Sequence, residues 1–267
     1  MTFRLARRDF LAYGGTFGLF AAFGGRPRTT SAEEAATCAG PPRLLDGSKK
    51  SHGWLSIAVG PCEGEIVRRA GREIAASPFS VGFETLDRRM FDPERTYSWL
   101  GRLGVKWARV QTGWARTETT RGKYDFAWLD AVVDHLHAAG VRPWFNLGYG
   151  NRLYTPEAPD ASAVGWAPIH REEAMTAWKA FVKTAARRYR GRVDHWEIWN
   201  EPNITKFWQP QKPNPHDYVR LVRETAAVIR SENPQATIIG GALAGMPTDY
   251  FKAMLEAGLG DVVDKIS

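Results

Sequence analysis

Residues 196–203 read Trp-Glu-Ile-Trp-Asn-Glu-Pro-Asn, and the chemistry within reach of this stretch is proton transfer. A glutamate set beside an indole and partly withdrawn from water holds its proton nearer to neutral pH, because burial penalises the charged form. Such a carboxyl can protonate a leaving oxygen as a general acid. Glu201 is in that position, and the amide of the adjacent Asn200 can donate a hydrogen bond to a ligand hydroxyl. A lone glutamate at a strand end is more often a buried, hydrogen-bonded structural group. The Asn-Glu-Pro run at the end of an apolar strand favours the functional reading. Glu197, the other carboxylate, lies four residues earlier, roughly 13 Å deeper along an extended strand. It reads as structural, paired with an Arg or His inside the fold.

Polar and aromatic residues crowd other strand ends as well. Glu84, Trp114, Tyr149, Asn151, Trp199 and Trp208 are candidate ligand-binding residues. With 11 tryptophans in 267 residues, flat indoles are available as stacking surfaces for sugar rings, although any one of them serves equally well in a core. Trp144 reads as core and Glu118 as a structural loop residue. The six histidines (52, 135, 137, 170, 195 and 216) show no ligand spacing on a shared element, so no metal site is expected.

The elements that must position these groups alternate strictly. Strands are predicted over 79–84, 107–114, 142–150, 193–203, 236–245 and 262–267, with helices over 92–104, 125–140, 171–189, 215–233 and 247–258. The helix at 125–140 carries Leu129, Val132, Val133 and Leu136 on one face and closes at a glycine. Alternation of this kind means an α/β fold with a parallel sheet. No glycine-rich phosphate loop follows the first strand, as a dinucleotide-binding fold would require. The polar residues gather at the C-terminal strand ends, where barrel sites sit. The expected architecture is a (β/α)8 TIM barrel truncated after about the start of the sixth strand, and the chain reads as a piece of a longer protein.

Three regions are expected: 1–25, a twin-arginine-type signal peptide; 26–78, a linker and N-terminal extension; and 79–267, a partial barrel. Arg7 and Arg8 precede an apolar, glycine-rich run that is too short to span a membrane. The implied partner is the twin-arginine export machinery and the implied location is the periplasm or the exterior, with an uncleaved membrane anchor as the alternative. In an exported protein Cys38 and Cys62 could pair. The net charge is +7, but its one basic cluster, Arg187, Arg188, Arg190 and Arg192, falls at a predicted helix C-terminus, where cations suit the helix dipole. Nucleic acid is not an expected partner.

The pattern "RVQTGWARTE…GKYDFAWLD…GVRPWFNLGYGN…WEIWNEPN" resembles the large barrel clan of retaining glycoside hydrolases. It is most similar to glycoside hydrolase family 39, which contains β-xylosidases, α-L-iduronidases and exopolysaccharide hydrolases. The similarity runs from about residue 79 to 267. The resemblance implies an O-glycosidase acting on a poly- or oligosaccharide by double displacement, without a cofactor. Glu201 would be the acid/base, Asn200 the partner of the sugar 2-hydroxyl, and Arg109 the arginine that bonds the nucleophile. The nucleophile itself belongs at the end of a seventh strand, so the 267 residues alone are expected to be inactive. The alternatives are an inactive carbohydrate-binding fragment or pseudoenzyme, and a sister hydrolase of the cellulase or mannanase type.

Overall fold

The structure, a computed structural model, describes residues 69–267. The expectations for the signal peptide, most of the linker, and Cys38 and Cys62 lie outside those residues. Six strands form one sheet: β1 (Ser80–Phe83), β2 (Trp107–Gln111), β3 (Arg142–Leu147), β4 (His195–Ile198), β5 (Thr237–Gly240) and β6 (Lys265–Ile266). Every neighbouring pair is parallel and the spatial order is the chain order. Helices α1 (Glu94–Leu100), α2 (Trp114–Thr117), α3 (Ala127–Ala138), α4 (Glu172–Arg188), α5 (Pro215–Glu232) and α6 (Thr248–Glu256) make the crossovers, α2 being a single turn ahead of α3. Consecutive β/α units in unbroken order are the (β/α)-barrel arrangement, as expected from the sequence. A doubly wound sheet would instead reverse its strand order partway across.

The strands are apolar because both of their faces are covered. Val110, Phe145, Trp196 and Ile238 are buried on β2, β3, β4 and β5, and Phe145 packs edge-on against Tyr189 and Trp196. The facing stripes come from the helices: Leu129, Val132, Val133 and Leu136 on α3, and Trp178, Phe181, Val182 and Ala185 on α4. Spacing of three and four residues keeps each set on one side of its helix. Each such large apolar side chain contributes roughly 1.5–3 kcal/mol on burial. At the start of α5, Asn214 accepts from the amides of His216 (2.9 Å) and Asp217 (3.3 Å). Pro215 takes the first helical position, where its missing N–H costs nothing.

Of the region expected as linker and N-terminal extension (26–78), the described part includes Gly71–Glu73, a 3-10 turn attached to the barrel. The Gly71 amide donates to the Gly101 carbonyl (2.7 Å), and Lys106 Nζ donates to the Gly71 carbonyl (2.8 Å). Gly140, which ends α3 with φ +75°, admits this turn: a Cβ there would lie 2.5 Å from the Arg72 nitrogen. Short polar segments without hydrophobic periodicity resemble linkers in sequence, and only the packing distinguishes them.

Candidate active site

Side chains two apart on a strand share a face, and register partners on parallel strands do too. Arg109 and Gln111 on β2, Trp144 and Asn146 on β3, and Glu197 on β4 therefore face the same side, since Arg109 pairs with Trp144, Gln111 with Asn146, and Asn146 with Glu197. Arg109 is the centre of this group. Its Nε donates to Glu197 Oε2 (2.7 Å), its Nη1 to Glu84 Oε1 (2.7 Å) and its Nη2 to Asn200 Oδ1 (3.0 Å). Its guanidinium also lies 5.6 Å from the centre of the Trp144 ring. Asn146 Nδ2 donates to the same Glu197 oxygen (2.7 Å) and to the Trp199 carbonyl (2.6 Å). Burial opposes the charge on Arg109, but Glu197 and Glu84 outweigh it and push the guanidinium pKa upward. Glu197 is 1% exposed and Arg109 5%. Ions this deep persist only when paired and hydrogen-bonded, and here they are.

The chain above β4 turns sharply. Trp199 and Glu201 both have left-handed backbones, at φ +69° and +51°, a region costly for residues with a Cβ. Bonds on either side hold the turn. The Trp199 amide donates to the Leu147 carbonyl (3.0 Å) and the Glu201 amide to the Ala242 carbonyl (2.7 Å). Asn203 meets Ala244 through both of its amide atoms, each at 3.0 Å. Asn200 is thereby aimed at Arg109, and Glu201 stands half-buried at the mouth. Burial raises the pKa of Glu201; Arg109 opposes this, Glu84 reinforces it and Lys206 opposes it.

Glu84, Arg109, Asn200 and Glu201 are thus brought together. Tyr149 packs beside them from the end of β3 but is itself buried, 4% exposed: its ring stacks on Phe207 and lies 5.4 Å from the Arg88 guanidinium. Burial pushes its hydroxyl up to about 12, against the pull of Arg88 and Arg109, so it remains a neutral donor.

Three tryptophans and one asparagine are placed differently from expectation. Trp114 is 1% exposed. Strand β2 ends at Gln111, and Gly113, at φ +55°, turns the chain so that Trp114 enters the core. There it stacks on Tyr154 and gives its Nε1–H to Glu118. Trp199 and Trp208 have no exposed surface. The left-handed turn swings Trp199 onto Trp178 and Trp208, and its Nε1 donates to the Phe207 carbonyl (2.7 Å). None of these indoles has a free face for a sugar. Asn151 ties its loop to the one after α2, donating to the Glu118 carbonyl (2.9 Å) and accepting from the Leu153 amide (3.0 Å). Glu118 is structural, bonded by Trp114, Gly122 and Tyr154, and Trp144 is buried with its Nε1 on Ser80 Oγ (3.1 Å).

Gln111 and Asn146 belong to the polar residues expected at the strand ends but had no assigned role, and Arg88 had not been singled out. Gln111 Oε1 accepts from the Thr85 amide (3.0 Å) and from Arg88 (3.4 Å), bracing the loop that carries Glu84. The signal that could have found them is parity: Gln111 and Asn146 lie two residues beyond Arg109 and Trp144 on adjacent strands. Among the described residues, no three His, Cys, Asp or Glu side chains are grouped as a metal ion would need.

Five consecutive β/α units and a sixth strand, with a half-buried glutamate at the fourth strand's mouth, have the arrangement of a (β/α)-barrel. The family model for glycosyl hydrolases family 39 matches residues 95–259, and the chain belongs to that family. It is 25% identical to the β-xylosidase of Geobacillus stearothermophilus over 140 residues, which cover 49% of this chain and 27% of that protein. Among solved structures it is similar to a family 39 glycoside hydrolase from Bacteroides cellulosilyticus, with a TM-score of 0.55 and 24% identity over 70% of this chain and 36% of that one. It is also similar to a monomeric β-xylosidase from Caulobacter crescentus, with a TM-score of 0.52 and 21% identity over 72% of this chain and 41% of the other. The chain thus spans about a quarter to two fifths of the length of these relatives.

Proposed function

We propose that this chain carries the acid/base half of a retaining glycosidase that cleaves a poly- or oligosaccharide. The observation that carries the reading is the half-buried Glu201 carboxyl, its pKa raised by burial, beside an Asn200 side chain fixed by Arg109. In this reading Glu201 protonates the departing oxygen and then, as carboxylate, takes a proton from the incoming water. Asn200, with its carbonyl oxygen bound to Arg109, presents its NH2 to the sugar 2-hydroxyl. The second carboxylate must lie ~5–5.5 Å away for retention; it is assigned to a later strand of the full-length enzyme. Similarity to the β-xylosidase of Geobacillus stearothermophilus supports a plant or bacterial polysaccharide, or its oligosaccharides, as the substrate class.

The test is Glu201→Gln in the full-length protein. Natural glycosides need protonation as the bond breaks, and their cleavage should fall by ~10²–10⁴. Aryl glycosides with acidic phenols should still form the glycosyl-enzyme, which then accumulates because its hydrolysis lacks a base. Azide needs no base and should release it as a glycosyl azide of retained configuration. Equal loss on both substrate types with no azide effect removes Glu201 from the role.

Export by the twin-arginine route is part of the same proposal, supported by Arg7-Arg8 ahead of the apolar run. Replacing both with Lys should retain the protein in the cytoplasm on cell fractionation; undiminished export contradicts the route.

A further inference from the structure

Glu84 is the group at the mouth that the acid/base scheme leaves without a task. It follows the end of β1, and its side chain is 39% exposed. Its Oε1 takes the Nη1 arm of Arg109 at 2.7 Å, while the Nε and Nη2 arms of the same guanidinium hold Glu197 and Asn200. One cation therefore serves two carboxylates, one buried beneath it and one at the rim. The cation alone would favour the ionised form of any carboxyl beside it. One ionised partner cancels that effect, and a second leaves the group net negative, which favours a neighbour that keeps its proton.

We propose that Glu84 is a positioning residue for Glu201, holding the outer arm of Arg109 and supplying the second negative charge that leaves the arginine group net anionic beneath the acid/base. The proposal rests on the reading of Glu201 as the acid. Several charged groups among the described residues enter the balance, and the second carboxylate, assigned to a later strand, adds to the anionic side in the full-length enzyme. Arg109 approaches from β2 and Glu197 from β4. Lys206 follows β4 and attracts a carboxylate at Glu201. Arg88 and Asp87, paired at 3.4 Å, flank the Glu84 loop, and Arg88 also covers the neutral Tyr149 ring. Arg109 and Lys206 both promote ionisation of Glu201, and among the described residues that bear on its titration Glu84 is the anion that opposes them. Neither Asn200 nor Gln111, the neutral acceptors nearby, can substitute for that charge.

The experiment follows the Glu201 carboxyl directly by carbon NMR during a pH titration of the full-length protein, unchanged and as Glu84→Gln, Glu84→Asp and Glu84→Ala. Glutamine keeps an acceptor for Arg109 but removes the charge, so the Glu201 midpoint should fall by about 0.5–1 pH unit, the size expected for one partly screened charge nearby. Alanine should do the same, which gives a second reading if the glutamine variant melts without a cooperative transition. Aspartate restores the charge and should return the midpoint most of the way. An unmoved midpoint in both neutral variants, or one that moves equally in Glu84→Asp, overturns the proposal. In the full-length enzyme the alkaline limb of kcat/KM should shift downward with the midpoint in Glu84→Gln. If the midpoint moves and the limb does not, Glu84 tunes Glu201 as proposed but Glu201 is not the acid, so the two readings fail separately.

Discussion

Glu201 binds its proton more tightly in the folded protein than in the unfolded chain, chiefly because it is withdrawn from water. Its contribution to stability is therefore fully present below the ordinary glutamate range. It is lost as pH rises through the raised folded value, because the folded state must then ionise a poorly solvated carboxyl. Glu201→Gln cannot ionise. The variant should match the unchanged protein in urea unfolding at acid pH and exceed it at mildly alkaline pH. A stability difference that is the same at both pH values would contradict this. At this scale the sequence placed Asn200 and Glu201 at the end of the fourth strand and Arg109 on the second, and the structure brings the three together. The sequence was a poor guide to Trp114, Trp199 and Trp208. Alternation along a strand assigns their faces correctly only while the backbone stays extended. Left-handed residues at Gly113 and Trp199 break the parity, and nothing in a tryptophan's own identity separates a stacking platform from a core anchor.

Among the elements, glycine at the end of α3 has the clearest mechanical role. Gly140→Ala would place a methyl against the Arg72 backbone in a left-handed conformation that costs about 1–2 kcal/mol before any clash. The melting temperature should drop by at least ~4 °C, and amide exchange in the Gly71–Glu73 turn should accelerate. A thermally silent substitution would mean that the turn is not held there. Helix and strand existence followed from hydrophobic period and from proline and glycine stops, and every expected element is present. The ends were overrun: the strand expected over 193–203 stops at Ile198, and that expected over 142–150 stops at Leu147. Apolar residues continue past those points, but they turn into the core between strand and helix instead of extending the ladder.

For the molecule as a whole, β1 and β6 each have a strand partner on only one side among the described residues. Phe79, Trp99 and Leu103, near β1 and on or after α1, are half exposed or more. Unpaired strand edges beside apolar surface favour association. The 267-residue chain should therefore sediment as oligomers or aggregates at micromolar concentration, and a longer gene product supplying further strands should sediment as a monomer. A monodisperse monomer of the short chain with a cooperative melt would contradict the expectation. The barrel class was readable because strict alternation admits few topologies.

The backbone around Glu201 is tied on two sides: the amides of Trp199 and Glu201 reach Leu147 and Ala242 near the ends of β3 and β5, and the Glu201 carbonyl accepts from Ile204 (3.1 Å) in the segment that follows. That segment is anchored in its turn, by Trp199 on the Phe207 carbonyl and by Gln209 between Gly165 and Ala167. Its freedom lies in the exposed side chains of Lys206, Gln211 and Lys212, so the rim can be repainted residue by residue while the backbone that aims Glu201 stays moored.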